Sequence, residues 1–361
     1  MKTFAGVCVA VALWMSVGVA RAATKANLRG ELKAVAATMR IRSQGATPFR
    51  MTATFASYDY LGESQGEGSI EEIWLRPGTW KVTTRFAGKA VVLYAKDDAF
   101  ALDGGSYVGV LPRRALLMLR RLVPEESVID TATMPGRHTV ELVAAHLDCL
   151  DFLPKPQLLG PLRQPLREDA SLTAYCADTA HTLRMVREPS GWVVTLNQVQ
   201  DFAGHKQAME MLVGAYGQTR MLLHVKSLTA LTGLRAEDIA APASAVMTHE
   251  PTEMRPVRVD SEVGRLRSEL TTLKINEREA VSIAMVIGVD GTVVDTDVES
   301  ATKKETGDAL HAWVVGLKYD AARFHGQAVP MNLEIVVTGR LSNWLNRYQD
   351  FGGQVPLLYR R

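Results

Sequence analysis

A series of strand-like stretches in the first third of the chain, each closed by a turn signal, limits the fold more than any other feature. FRMTATFASYDY (49–60) alternates and is rich in aromatics, and GESQGEGS (62–69) reads as a turn. IEEIWLR (70–76) runs into Pro77-Gly78, TWKVTTRF (79–86) into Gly88, and AVVLYAKDDAFALD (90–103) follows. Strands at roughly ten-residue spacing with turns between them predict an antiparallel meander. The strand pattern returns in SLTAYCAD, HTLRMVRE, GWVVTLNQVQDF and RMLLHVKSLTAL, after a proline-rich loop at 153–166. The fold class is therefore α+β with antiparallel sheets, not a doubly wound parallel sheet.

Two helices accompany these strands. Within 27–45, Leu28, Leu32, Val35, Ala36 and Met39 fall on one helical face. Residues 112–124 open as PRRALLMLRRLV, an amphipathic pattern with proline in the first turn. Its arginines Arg113, Arg114, Arg120 and Arg121 are the most basic spot in the chain. A solvated helix face is the plain reading and an anionic membrane surface the sharper one.

The chain has 361 residues with a formal net charge of +2, so no concentrated basic face points to nucleic acid. Residues 1–22 have a lysine, a long apolar run and Ala20-Arg21-Ala22, an A-x-A-like cleavage site, which predicts a signal peptide and a periplasmic protein. The alternative is an uncleaved inner-membrane anchor at residues 4–20, about the minimum span of ~17–20 residues. Beyond the signal two cysteines remain, Cys149 and Cys176, and an oxidising compartment predicts a disulfide between them. Two buried thiols are the alternative; a metal site is not expected, because neither cysteine has C-x-x-C spacing. The boundaries read as signal peptide 1–22, antiparallel β domain 23–240, linker and helix 241–275, a small β-β-α-β unit 276–340 and a tail 341–361.

IWLRPGTWKV (73–82), AVVLYAKDDAFALD (90–103) with its Asp97-Asp98 turn, and the stretch from Ala174 to Met211 resemble the LolA/LolB-type lipoprotein carriers. The resemblance implies an antiparallel half-barrel with helices as a lid and an apolar cavity for a lipid or acyl chain. Trp74, Trp80, Phe86, Leu93, Tyr94, Phe100 and Trp192 are the candidates to line it. Ordinary core is the competing reading of the same residues.

Residues 281–337 add a second resemblance. VSIAMVIGV, the Asp290-Gly291 turn and TVVDTDVES form a hairpin pattern. A helix pattern ending at Leu317-Lys318-Tyr319-Asp320 follows, then a loop with Gly326-Gln327-Ala328-Val329-Pro330 and a third strand. In this order they resemble the TonB C-terminal domain. That resemblance implies docking: a segment of a periplasmic or outer-membrane protein adds as a strand along Met331, Asn332, Leu333, Glu334, Ile335, Val336 and Val337. The alternative is that the tail 341–361 covers this edge. With the anchor at 4–20 retained, the same module implies a TonB-type energy transducer of outer-membrane transport.

A hydrolase is a third possibility. His146, Asp151, Glu168, Asp169, Asp178 and His181 lie near one another in sequence and would have to converge in a cleft. No H-E-x-x-H, P-loop or G-x-G-x-x-G occurs, so no enzyme and no cofactor are expected.

Overall fold

The computed structural model describes residues 27–97, 99–142, 145–153, 173–188, 192–215, 218–248, 280–316, 322–324 and 327–338. The segment 1–22 read as a signal peptide, the helix read within 241–275, Leu317–Asp320 and the tail 341–361 lie outside them. In chain order the elements begin with α1 (27–39), β1 (Phe49–Tyr58), β2 (Ser64–Arg76), β3 (Thr79–Phe86), β4 (Lys89–Lys96), β5 (Ala99–Asp103), α2 (Val110–Arg120) and α3 (Glu126–Thr131). Next are β6 (Arg137–Leu142), β7 (Ala145–Phe152), β8 (Thr173–Ala177), β9 (Leu183–Arg187), β10 (Trp192–Phe202), β11 (His205–Ala215), β12 (Gln218–Ala230) and β13 (Val246–Thr248). The last are β14 (Ala280–Ile287), β15 (Val293–Ala301), α4 (Lys304–Val315), β16 (Ala322–Phe324), β17 (Gln327–Val329) and β18 (Met331–Thr338). Among the described residues, no helix is long and apolar enough to cross a membrane.

The chain forms two compact units. One contains residues up to Arg40 and Val123–Gln207. Its antiparallel strands run in the order β10-β9-β8-β7-β6. Helix α1 buries Leu28, Leu32, Val35, Ala36 and Met39, the face the spacing predicted. Arg29 donates to the Ala132 carbonyl at 2.9 Å and Arg40 to that of Pro124 at 2.7 Å, tying α1 to the region of α3. Cys149 and Cys176 stand directly opposite each other on β7 and β8 and are joined by the expected disulfide. The outer strand β6 carries exposed Arg137 and Glu141, charges that blunt a sheet edge.

The other unit contains Ile41–Leu122 and residues from Ala208 onward. Its large sheet runs β13-β5-β4-β3-β2-β1-β12-β11. The meander is as predicted, with one difference. Residues 64–69, read as turn, belong to β2. The turn is shorter because Asp59 Oδ1 accepts from the N–H groups of both Leu61 (2.9 Å) and Glu63 (2.8 Å), closing the loop within five residues. The stretch read as linker also contributes β13, which pairs with β5.

The small unit expected at 276–340 is described over 280–338, within this same compact unit. The hairpin, helix and third strand are present, and the three strands pair antiparallel in the order β15-β14-β18. Val281, Ile283, Ala284, Met285, Val286 and Ile287 are all buried, so β14 is covered on both faces. Helix α4 buries Leu310 and Val314. A Cβ at Gly307 would meet the Tyr60 hydroxyl at 2.8 Å, so only glycine lets α4 approach the β1–β2 loop this closely.

Candidate functional site

Directly opposed residues of antiparallel strands share a face. The register chain Phe49↔Trp74, Trp74↔Trp80, Trp80↔Ala95 and Ala95↔Phe100 therefore places Trp74, Trp80 and Phe100 on one face of the large sheet. Val82↔Leu93 and Gly68↔Phe86 add Leu93 and Phe86. Five of the seven candidate lining residues thus share this inner face. Tyr94 faces the other way and packs under the Lys81 ammonium, 5.6 Å from the ring centroid. Trp192 belongs to the other unit. On the inner face Phe49 stacks on Trp74 and Phe55 on Phe86.

Helix α2 lies on this face, and its arginines are not a solvated surface. Arg120 sits with its guanidinium carbon 3.6 Å over the Trp80 ring and its Nε 3.2 Å from Glu72 Oε1. Glu72 is fully buried and also takes two bonds from Arg42, at 3.0 Å from Nε and 2.5 Å from Nη2. Burial pushes the Glu72 carboxyl up, but the Arg42 and Arg120 charges outweigh it and hold it below the usual value. Arg113 and Arg114 are buried as well; Arg121 is exposed.

Arg114 reaches the opposite way, into β15. Its Nη1 donates to Asp297 Oδ2 at 2.7 Å and its Nη2 to Glu299 Oε1 at 2.5 Å. Arg220 on β12 donates to the same Asp297 Oδ2 at 3.0 Å and to the Val298 carbonyl at 3.0 Å. Gln65 donates to Asp297 Oδ1 at 3.2 Å and Ser282 to Glu299 Oε2 at 2.8 Å. Burial lowers the Arg220 guanidinium below its usual value, and Asp297 opposes that shift. One turn away, Asp295 Oδ2 accepts from the Val110 N–H at 2.8 Å, so a side chain of β15 supplies the N-terminal partner that Gly109 lacks. Burial raises the Asp295 carboxyl above its usual value. Asp295, Asp297 and Glu299 alternate along β15 and so share a face. Alternating acids in a strand ordinarily mark solvent; here they are the seam between β15, α2 and β12. Sequence reasoning missed this seam, although the D-x-D-x-E spacing was its visible trace.

Among the described residues strand β18 is the outer strand beside β14, paired over its length from Ile287↔Met331 to Ala280↔Thr338. Met331 and Asn332, expected on a docking edge, are buried. Asn332 lines a concavity of ≈ 10 Å³, about one water, with Tyr107, Thr248 and Pro330. The side chains of Leu333, Glu334, Ile335, Val336 and Val337 lie outside the description. A second, open groove of ≈ 350 Å³ lies over Gly68 and Phe86, between Arg85 and Lys89.

The His and Asp residues of 146–181 do separate local tasks. His146 pairs with Glu141 at the β6–β7 hairpin, and Asp151 with His138 at 3.2 Å. Asp178 accepts from the N–H groups of Ala180 and Thr182 and from Arg184, fixing its own turn. Glu168 and Asp169 lie outside the described residues. Among the described residues no group of three or more His, Cys, Asp or Glu side chains is placed to hold a metal ion.

No family model and no curated protein matches the chain. Several solved structures are similar to part of it. A domain described as an outer membrane lipoprotein-sorting protein from Vibrio parahaemolyticus has a TM-score of 0.38 at 14% identity, covering 60% of this chain and 97% of that one. A LolA superfamily protein from Nitrosomonas europaea has 0.37 at 7% identity, covering 59% and 96%. A DUF1329 family protein from Desulfovibrio piger has 0.35 at 14%, covering 59% and 95%. Likeness at these scores assigns neither a family nor an activity to the chain.

Proposed function

We propose that the chain is a non-enzymatic binding protein of the periplasm, exported by residues 1–22, that takes an extended segment of a partner protein along β18. The observation that carries this reading is the outer position of β18, among the described residues, beside the doubly covered β14. Its sequence, MNLEIVVT, has one charge and no lysine or proline, whereas β6 is blunted by Arg137 and Glu141. An edge of that composition suits strand addition, where main-chain bonds give affinity and alternate side chains give specificity. The TonB-type resemblance of 276–340 supports the same mode.

A photo-crosslinking residue in place of Glu334, read in the intact cell envelope, tests it. One discrete cross-linked protein, lost when Val336→Pro is added to a chain that still melts cooperatively, is the expected result. A cross-linked product that survives Val336→Pro, or none at all, refutes strand addition. The transducer form of this reading needs residues 4–20 retained as an anchor, which would leave the chain in the carbonate-resistant membrane fraction.

A second reading is favoured by the inner face. Trp74, Trp80, Leu93, Phe86 and Phe100 form an aromatic and apolar floor, and α2 covers it partly with arginine. That suits an apolar chain, such as an acyl group, admitted when α2 lifts.

A further inference from the structure

Helix α2 is gripped by charge on two sides. Near its C-terminal end Arg120 holds Glu72 and Trp80 of the large sheet. Near its N-terminal end Arg114 holds Asp297 and Glu299 of β15, and Asp295 caps the Val110 N–H. Well-packed apolar residues of similar volume often hold as well or better than a buried ion pair, while removing one partner of a pair is costly. Such a grip fixes position more than it adds stability. A helix carrying three arginines, Arg113, Arg114 and Arg120, is also one that water solvates when it leaves the face. Its N-terminal flank contains Gly104, Gly105 and Gly109, with Gly104 at φ +76°, residues suited to a hinge.

We propose that the segment 280–338 is a brace that holds α2 down over the inner face, so that its docking state regulates access to that face. The proposal rests on the two binding readings above and links them. Strand β18 is paired to β14 along its length, and β14 to β15. A partner that repositions β14 and β15 therefore acts on Asp297 and Glu299, and through Arg114 on α2. Apolar chains would be admitted when the brace is released.

The test uses the full chain and its Arg114→Met and Glu299→Gln variants. Three readouts apply: amide exchange of α2, acrylamide quenching of Trp80 (taken as the difference from a Trp80→Phe background), and binding of cis-parinaric acid. Glu72→Gln, which loosens the other grip, serves as a comparison. Arg114→Met is expected to speed α2 exchange, raise Trp80 quenching and tighten parinarate binding at least tenfold. A folded Arg114→Met chain whose α2 exchange and Trp80 quenching match the unaltered protein overturns the brace. Where Arg114→Met does not fold, Glu299→Gln keeps the side-chain volume and is judged by the same criterion. Loosening of α2 without parinarate binding in any variant, Glu72→Gln included, supports the brace and overturns the apolar-chain reading alone.

Discussion

Asp297→Ala perturbs the seam at its most shared point. The carboxylate, 1% exposed, receives Arg114 at 2.7 Å, Arg220 at 3.0 Å and Gln65 at 3.2 Å. Arg114 keeps Glu299, while Arg220, buried at 1% exposure, loses its carboxylate at 3.0 Å and keeps the Val298 carbonyl. Breaking a buried ion pair by removing one partner costs up to about 3–5 kcal/mol, and the Glu299 and Asp59 charges still act on Arg220. For a unit of this size each kcal/mol lowers Tm by roughly 2–4 °C, so a fall of about 6–20 °C is expected. Differential scanning calorimetry is the assay. The transition that reports the unit holding 41–122 and 208–338 should move to lower temperature. The sharper arm is Asp297→Leu combined with Arg220→Met, which removes both charges and should cost less than the two single changes added together. A shift under about 2 °C for Asp297→Ala, or strict additivity in the pair, would mean that water reaches Arg220 and that the seam is a surface feature.

Other outcomes follow from single features. Gly68→Ala places a Cβ 2.2 Å from the Phe55 ring and 2.7 Å from the Arg85 carbonyl, and overpacking of this kind should cost about 1–3 kcal/mol in urea unfolding. Reducing Cys149–Cys176 should destabilise its unit by about 2–5 kcal/mol, seen as a lower denaturation midpoint with reductant than without. Ala87 sits at φ +49° before Gly88 in the β3–β4 hairpin, so Ala87→Asn should raise stability by about 0.5–1 kcal/mol. Because the folded Glu72 carboxyl lies below its ordinary value of 4.5, its pairs stabilise above that pH and lose their contribution as pH falls below it; Glu72→Gln should flatten this part of the acid-denaturation profile.

The strands were legible because their signals are local: alternation within ten residues and a glycine or Asx turn at each end. The same holds for α1, whose apolar stripe is the face it buries, and for the disulfide, which was expected from the two cysteines that follow a signal-like segment. The arginines of α2 were misread for a physical reason. Arg114 finds Asp297 across 183 positions, and nothing near PRRALLMLRR in sequence indicates that carboxylates will meet it. Glu72 presents the same difficulty, since an isolated acid in IEEIWLR looks like a solvent-facing residue until Arg42 and Arg120 arrive from separate elements. Tyr94 was placed with Leu93 among lining residues, although neighbours along a strand point to opposite faces. The small C-terminal unit was recognised by its order of elements, but its integration with the large sheet depends on the seam and so was invisible.

The seam also sets an order of events in time. Arg114 and Arg220 belong to segments made long before β15, and their shared carboxylate arrives only when residue 297 has emerged. Until then α2 cannot settle on the inner face without burying a guanidinium that lacks its counter-charge. The large sheet is therefore a template that waits, with its floor open, for the last fifth of the chain. Contacts of such separation are closed late and slowly. The cover that α2 gives Trp80 is thus tied to a carboxylate 183 positions further along the chain.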